Sequence, residues 1–270
     1  MYSVLRWLIP LLVVLVFTGV GYYLWRGSRP PEVPPAPAPA AQAPAPPTAA
    51  PPAVQHPIGE ASPEAKEVAM PPLGQSDKPV SEALAGAIPP SSLEQYFLLD
   101  GLVRRVVATV DALPRQETIP RRVLPVKPIP GPFATVGEGE ERRISPSNAA
   151  RYVPLARLME SVDTAKLVAV YVRYYPLFQQ AYVELGYPQG YFNDRLIAAI
   201  DNLLSAPDAG GPVPLVQPKV LYAYADPELE ALSAGQKIML RMGNENATRV
   251  KAKLREIRRA LTAKSSQPSH

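Results

Sequence analysis

The 270-residue chain has no cysteine and only two histidines, His56 and His270. The missing thiols exclude disulfides and a thiolate nucleophile. With no histidine between residues 57 and 269, that stretch can assemble neither an ordinary zinc or copper site nor a Ser–His dyad. The residues therefore imply no metal and no cofactor, and no catalytic residue is assigned. Acids are slightly outnumbered, 24 against 28 Lys and Arg, so no strong net charge points to a nucleic-acid partner. Tryptophan occurs twice, at Trp7 and Trp25, the two ends of the one long apolar run.

That run, Trp7–Trp25, is 19 residues without a charge, bracketed by Arg6 and Arg26. About 20 apolar residues cross the ~30 Å hydrocarbon core, and Trp7, Tyr22, Tyr23 and Trp25 stand where interfacial aromatics belong. A cleaved signal peptide fits less well, because Gly21-Tyr22-Tyr23-Leu24-Trp25 is no small-residue cleavage site. Residues 1–27 read as a single-pass signal-anchor in the inner (cytoplasmic) membrane. The flanking positive charges balance, Arg6 and the α-amine against Arg26 and Arg29. The short N-terminal tail then favours a C-terminal domain on the periplasmic side. Residues 28–90 hold 18 of the 35 prolines, mostly separated by Ala, Val, Gln or Ser. Such a composition reads as a disordered, stiff polyproline II spacer. No basic residue flanks a PxxP unit closely in Pro34–Pro57, which weakens the reading as a ligand for aromatic-lined grooves. His56 is expected to be solvated and inert.

Residues 91–264 read as one mainly α, compact multi-helix domain with at most two or three short strands, followed by a disordered tail, 265–270. Ser91 and Glu94 fit a capping box opening a helix to about Ala112. The prolines from Pro114 to Pro132 then force extended chain. Val136 and Ile144 flank a polar turn and suit a weak hairpin. A short helix from Ser147 or Asn148 to Tyr152 is expected, with Pro154 starting the next. Asp163 should cap a long helix to about Leu185, ended by Gly186 and Pro188. Tyr191–Ser205 forms the return helix, and Pro207–Pro218 a loop. Lys219–Tyr224 alternates as a short strand, with Val123–Val126 as its proposed partner. Asp226 and the Ser233/Gln236 pair cap two further helices, and Asn244 starts a terminal helix to about Ala263.

Three stretches carry a resemblance: GYPQGYFNDRL (Gly186–Leu196), PKVLYAYADPELEALSAGQK (Pro218–Lys237) and LRMGNENATRVKAKLR (Leu240–Arg255). They are similar to a bacterial family catalogued as domain of unknown function 3014, and the resemblance covers Ser91–Leu261. It implies an N-terminal anchor, a proline-rich linker and this one domain. It supplies no activity, cofactor or catalytic residue.

Seven of the 13 tyrosines fall between Tyr152 and Tyr191. Tyr171, Tyr174 and Phe178 share a helical stripe and belong in the core. Tyr175, Tyr187, Tyr191, Asn193, Asp194 and Arg195 lie nearer the corner between two helices. They are the binding candidates, since an aromatic face with a polar tip beside Asn, Asp and Arg suits an envelope protein, peptide or glycan. The helix start there attracts carboxylates, and Arg195 can add a bidentate contact. Glu184, Asp194, Asp201, Asp226, Glu228 and Glu230 are the acids from which a carboxylate-based envelope hydrolase would draw its pair. Their spacing requires no such pair, and Asp201 reads as part of a solvated face. The terminal helix presents a basic face, Arg249, Lys251, Lys253, Arg255, Arg258 and Arg259, while Val250, Leu254, Ile257 and Leu261 dock it. That face suits a solvated helix, anionic lipid or, less well, nucleic acid on the cytoplasmic side. The expected function is a membrane-tethered, non-catalytic interaction or scaffold module displayed outside the cytoplasm.

Overall fold

The computed structural model describes residues 53–58 and 69–265. The apolar run with Trp7, Tyr22, Tyr23 and Trp25, most of the proline-rich stretch and residues 266–270 lie outside the described residues. Among the described residues no helix is long and apolar enough to cross a membrane. The described residues form nine α-helices and two short antiparallel strand pairs, the mainly α architecture expected.

Helix α1 is Asp77–Leu84, α2 Pro90–Tyr96, α3 Leu102–Ala112, α4 Ser147–Ser161, α5 Thr164–Glu184 and α6 Phe192–Leu204. Helices α7 (Pro227–Glu230), α8 (Ala234–Arg241) and α9 (Asn244–Ser265) complete the set. Helix α5 is central because it is apolar on two faces. Tyr174, Leu177, Phe178, Ala181 and Tyr182 recur at helical spacing and meet Val103, Val107 and Val110 of α3, Val80 of α1 and Phe192 of α6. Val168 and Val172, one turn apart, meet Ile197 and Ile200 of α6 and Leu254 and Leu261 of α9. Phe192 is fully enclosed, and burying such a ring stabilises by roughly 1.5–3 kcal/mol.

Several local signals act as read. The Asp163 carboxylate accepts from the Lys166 N–H (3.0 Å), Asp226 from Glu228 (2.8 Å), and Ser233 with Gln236 forms a capping box. Gly186 ends α5 with φ +116°. Strand β1 (Thr135–Val136) pairs with β2 (Arg143–Ile144), the hairpin expected.

Other expectations are corrected by packing. The compact part begins before Ser91: Leu73, Val80, Ala87 and Ile88, inside the stretch read as spacer, are buried. The Ser91 capping box does not form, since Pro89 holds the N-cap position. The helix expected over 91–112 breaks over residues 97–101, ending in Gly101 (φ +63°), and the Asp77 carboxylate accepts the N–H groups of Gly101 (2.8 Å) and Leu102 (3.0 Å). Asp77 thus caps α3 from another helix, which makes the break cheap. Helix α4 runs through Pro154 instead of restarting there. The lost hydrogen bond is offset by the long packing of α4 against α9. Strand β4 (Ala223–Tyr224) pairs with β3 (Leu215–Val216), which lies in the expected loop, and not with Val123–Val126. Val126 instead bridges Phe97, where Pro125 lends its carbonyl to Leu98 (2.7 Å). A proline keeps its acceptor when it has no donor, so this bridge is the pairing left to it.

Candidate functional site

The corner between α5 and α6 brings most of the binding candidates together. Gln179, one turn from the end of α5, organises it. Its Nε2 donates to the Gly190 carbonyl (2.7 Å), and its Oε1 accepts from the Phe192 N–H (2.8 Å) and the Tyr175 hydroxyl (2.9 Å). A first-turn N–H of α6 is thereby satisfied by a neighbouring helix. Tyr182 and Tyr187 stack with ring centroids 4.5 Å apart. A Cβ on Gly190 would stand 2.7 Å from the Tyr182 ring, so the chain needs glycine there to pass so close.

Behind the corner lies a charged joint. Asp111 of α3 is buried, with Arg195 Nε donating to its Oδ1 (3.1 Å) and the Tyr187 hydroxyl to its Oδ2 (3.4 Å). Arg195 also reaches the Asp111 carbonyl, and Arg115 bonds both the Asp111 carboxylate and the Tyr187 hydroxyl. The hydrogen bond to that carboxylate raises the Arg115 pKa above its ordinary value. Tyr187 and Arg195 therefore fasten α6 to α3, and the guanidinium expected to meet a ligand carboxylate is committed inside the domain.

On the other side of α6 the side chains turn outward to a separate stretch of chain, residues 53–58. The Asp194 carboxylate accepts the N–H of His56 (2.7 Å) and of Gln55 (3.0 Å). Asn193 Nδ2 donates to the His56 carbonyl (2.8 Å), and the Tyr191 hydroxyl accepts from the Ile58 N–H (2.8 Å). Asn193 is itself 0 % exposed, its Oδ1 held by the Tyr171 hydroxyl (3.1 Å). Burial pushes the pKa of Tyr171 well above the ordinary tyrosine range, and burial with the Tyr191 neighbour does the same for Tyr175. Both hydroxyls stay protonated and serve as fixed donors. Tyr175 packs against Tyr191 (centroids 5.5 Å), which steadies the ring that meets Ile58. His56, expected to be solvated, is half-buried with both main-chain groups taken up.

The acids are dispersed among structural partners. Glu184 pairs with Arg104 (3.1 Å), Asp201 with Arg258 (2.6 Å) and Glu230 with Lys237 (2.8 Å). Asp201 is thus a bridge between α6 and α9 on a face still open to solvent, its side chain 46 % exposed. The basic face is mostly consumed as well. Lys251 donates to the Ala206 carbonyl (2.7 Å) and Asp208 (3.1 Å), and Lys253 to the Val162 carbonyl (3.0 Å) and Glu256 (2.8 Å). Arg249 joins Glu160 and Glu245 (3.0 and 2.8 Å). Arg255 and Arg259 remain exposed. Val250, Leu254, Ile257 and Leu261 dock the helix as expected.

Asp111 and the bonding of residues 55–58 to the corner escaped the sequence reading. Asp111 ends an amphipathic helix like any surface acid. The segment had one visible signal: Val54-Gln55-His56-Pro57-Ile58 interrupts the Pro/Ala monotony.

A family model described as "Protein of unknown function (DUF3014)" matches residues 102–258, more than half of the chain, and the chain belongs to that family. The match begins at α3 and ends within α9. No curated protein and no solved structure matches it.

Proposed function

We propose that this member of the DUF3014 family is a membrane-tethered, non-catalytic interaction module that recognises short peptide segments at the start of α6. The uncharged run Trp7–Trp25 and the proline-rich stretch behind it support a domain held off the periplasmic side of the inner membrane. The observation that carries the peptide reading is that Tyr191, Asn193 and Asp194 meet residues 55–58 through the main-chain groups of that segment. Together they offer acceptors for three N–H groups and a donor for one carbonyl, the complement of a peptide main chain that bends at residues 55 and 56. A glycan would need open aromatic faces, whereas Tyr175 and Tyr191 pack on each other. Asp194, on which the hydrolase reading would draw, is engaged by two N–H donors, which favours binding over acid–base work.

The test uses the full chain in detergent with residues 53–58 replaced by Gly and Ser, so that the corner is open. An array of 12-residue peptides should give a set of binders that all weaken at least tenfold on Asp194→Ala, with unchanged melting. No binder, or binders indifferent to Asp194→Ala, overturns the peptide reading. A reporter fused after residue 270 and active only in the cytoplasm overturns the periplasmic placement.

A further inference from the structure

We infer that residues 54–58 are an internal ligand of the corner, a copy of the peptide class the site takes from its partners, which holds the site closed until displaced. This rests on the peptide reading above and adds to it the occupant, its sequence pattern and its effect. The segment is held as a ligand is held, by a few groups at one face. Gln55, His56 and Ile58 donate to Asp194 and Tyr191, His56 accepts from Asn193, and Ile58 alone sends a side chain into the apolar cluster of Val168, Ile197 and Leu254. Val54 is 49 % exposed, and Gln55 and Pro57 are exposed too.

The bonding pattern sets the ligand chemistry. Pro57 has no N–H, and it sits at the one position between Gln55 and Ile58 where the site makes no demand for one. The chain bends at Gln55 and His56, which turns their two successive N–H groups to the one Asp194 carboxylate. Ile58 follows as the apolar anchor. The class is therefore a peptide that bends just before a proline followed at once by a large aliphatic residue, any residue but proline being tolerated at the two positions before it. Between residues 28 and 70, Pro57-Ile58 is the one proline followed by a large aliphatic residue; the other prolines there precede Ala, Pro, Glu or Thr. The rest of the spacer cannot compete for the same seat.

Tethering makes the segment an effective competitor. The chain between Ile58 and Leu73 is short enough to present it at an effective concentration on the order of 1 mM. Against a free peptide with an intrinsic Kd of about 30 µM, that copy raises the apparent Kd by roughly 30-fold.

Two measurements test this on the full chain in detergent. Hydrogen exchange should show Gln55, His56 and Ile58 protected relative to the flanking spacer, with protection lost on Asp194→Ala. Fluorescence anisotropy with the labelled peptide PAVQHPIG (the sequence of residues 52–59) should show the Gly/Ser-substituted chain binding at least tenfold tighter than the unsubstituted chain. Ile58→Asp in the peptide should abolish the binding. Unprotected amides, or equal affinity of the two chains, overturn the internal ligand while leaving the peptide site standing. Protection without binding of this peptide by the substituted chain shows a fixed structural strap and also overturns it; the peptide array then judges the site by itself.

Discussion

Replacing Asp111 by alanine separates the joint behind the corner from the binding groups in front of it. The Asp111 side chain is 9 % exposed and Arg195 25 %, while Arg115 is 46 % exposed. Removing one partner of a buried ion pair costs about 3–5 kcal/mol. Two features reduce that here. Arg115 is near the surface regime, in which a pair contributes about 1 kcal/mol or less, and Arg195 keeps its bond to the residue-111 carbonyl. The Tyr187 hydroxyl loses an acceptor at 3.4 Å, a weak bond already. The expected loss is about 2–3 kcal/mol, which for a domain of this size lowers Tm by about 5–10 °C. Asp111→Asn, which keeps an acceptor but not the charge, should fall between the variant and the parent. The assay is thermal melting followed by circular dichroism, with hydrogen exchange at residues 55–58 recorded on the same sample below the transition. Melting should drop while protection of the segment persists, because Tyr191, Asn193 and Asp194 face away from Asp111. A Tm within about 2 °C of the parent refutes the joint. Loss of segment protection in a still-folded variant refutes the separation of the two sides.

Gly190→Ala puts a methyl 2.7 Å from the Tyr182 ring and 3.0 Å from Tyr187 Cβ, so overpacking should cost about 1–3 kcal/mol in denaturant melts. Lys253→Ala leaves the Val162 carbonyl at the end of α4 without its donor and should lower stability by about 1–2 kcal/mol; an unchanged midpoint would mean the lysine is a solvated surface group after all. For Glu230, burial opposes ionisation, but the Lys237 ammonium and the Tyr224 N–H outweigh it and hold the carboxyl below the usual glutamate range. A depressed folded-state pKa means the stabilisation is complete above the unfolded value of about 4.3 and is lost as pH falls through the folded value. Glu230→Gln should therefore be less stable than the parent at about pH 6 and match it near pH 3; a constant difference across that range contradicts the assignment.

The site was legible in part. Tyr191, Asn193 and Asp194 were marked by their place at the start of a helix after a Gly/Pro corner, and they do meet a chain segment. Tyr187 and Arg195 carried the same signal but turn inward, because which side of α6 faces α3 depends on Asp111, 84 residues from Arg195 in sequence. In the structure the corner turns the Asp194 carboxylate to the N–H groups of Gln55 and His56, while Arg195, the donor expected to meet a carboxylate there, bonds Asp111 instead.

What the sequence by itself determined is local. The caps at Asp163, Asp226 and Ser233–Gln236, the stop at Gly186, the hairpin around Gly137 and the apolar stripe of α9 all depend on partners two to nine residues away. Their geometry follows from backbone dihedrals and side-chain period alone. Only the tertiary structure decided the rest. Asp77 caps a helix 25 residues downstream, Pro154 is carried through α4 by its contact with α9, and four of the six cations on the basic face are spent on carbonyls and acids of other elements. Gln55 and His56 reach Asp194 across 139 and 138 residues. Such pairings leave no period in the chain, because each is chosen by whichever buried polar group would otherwise go unpaired once the helices have packed.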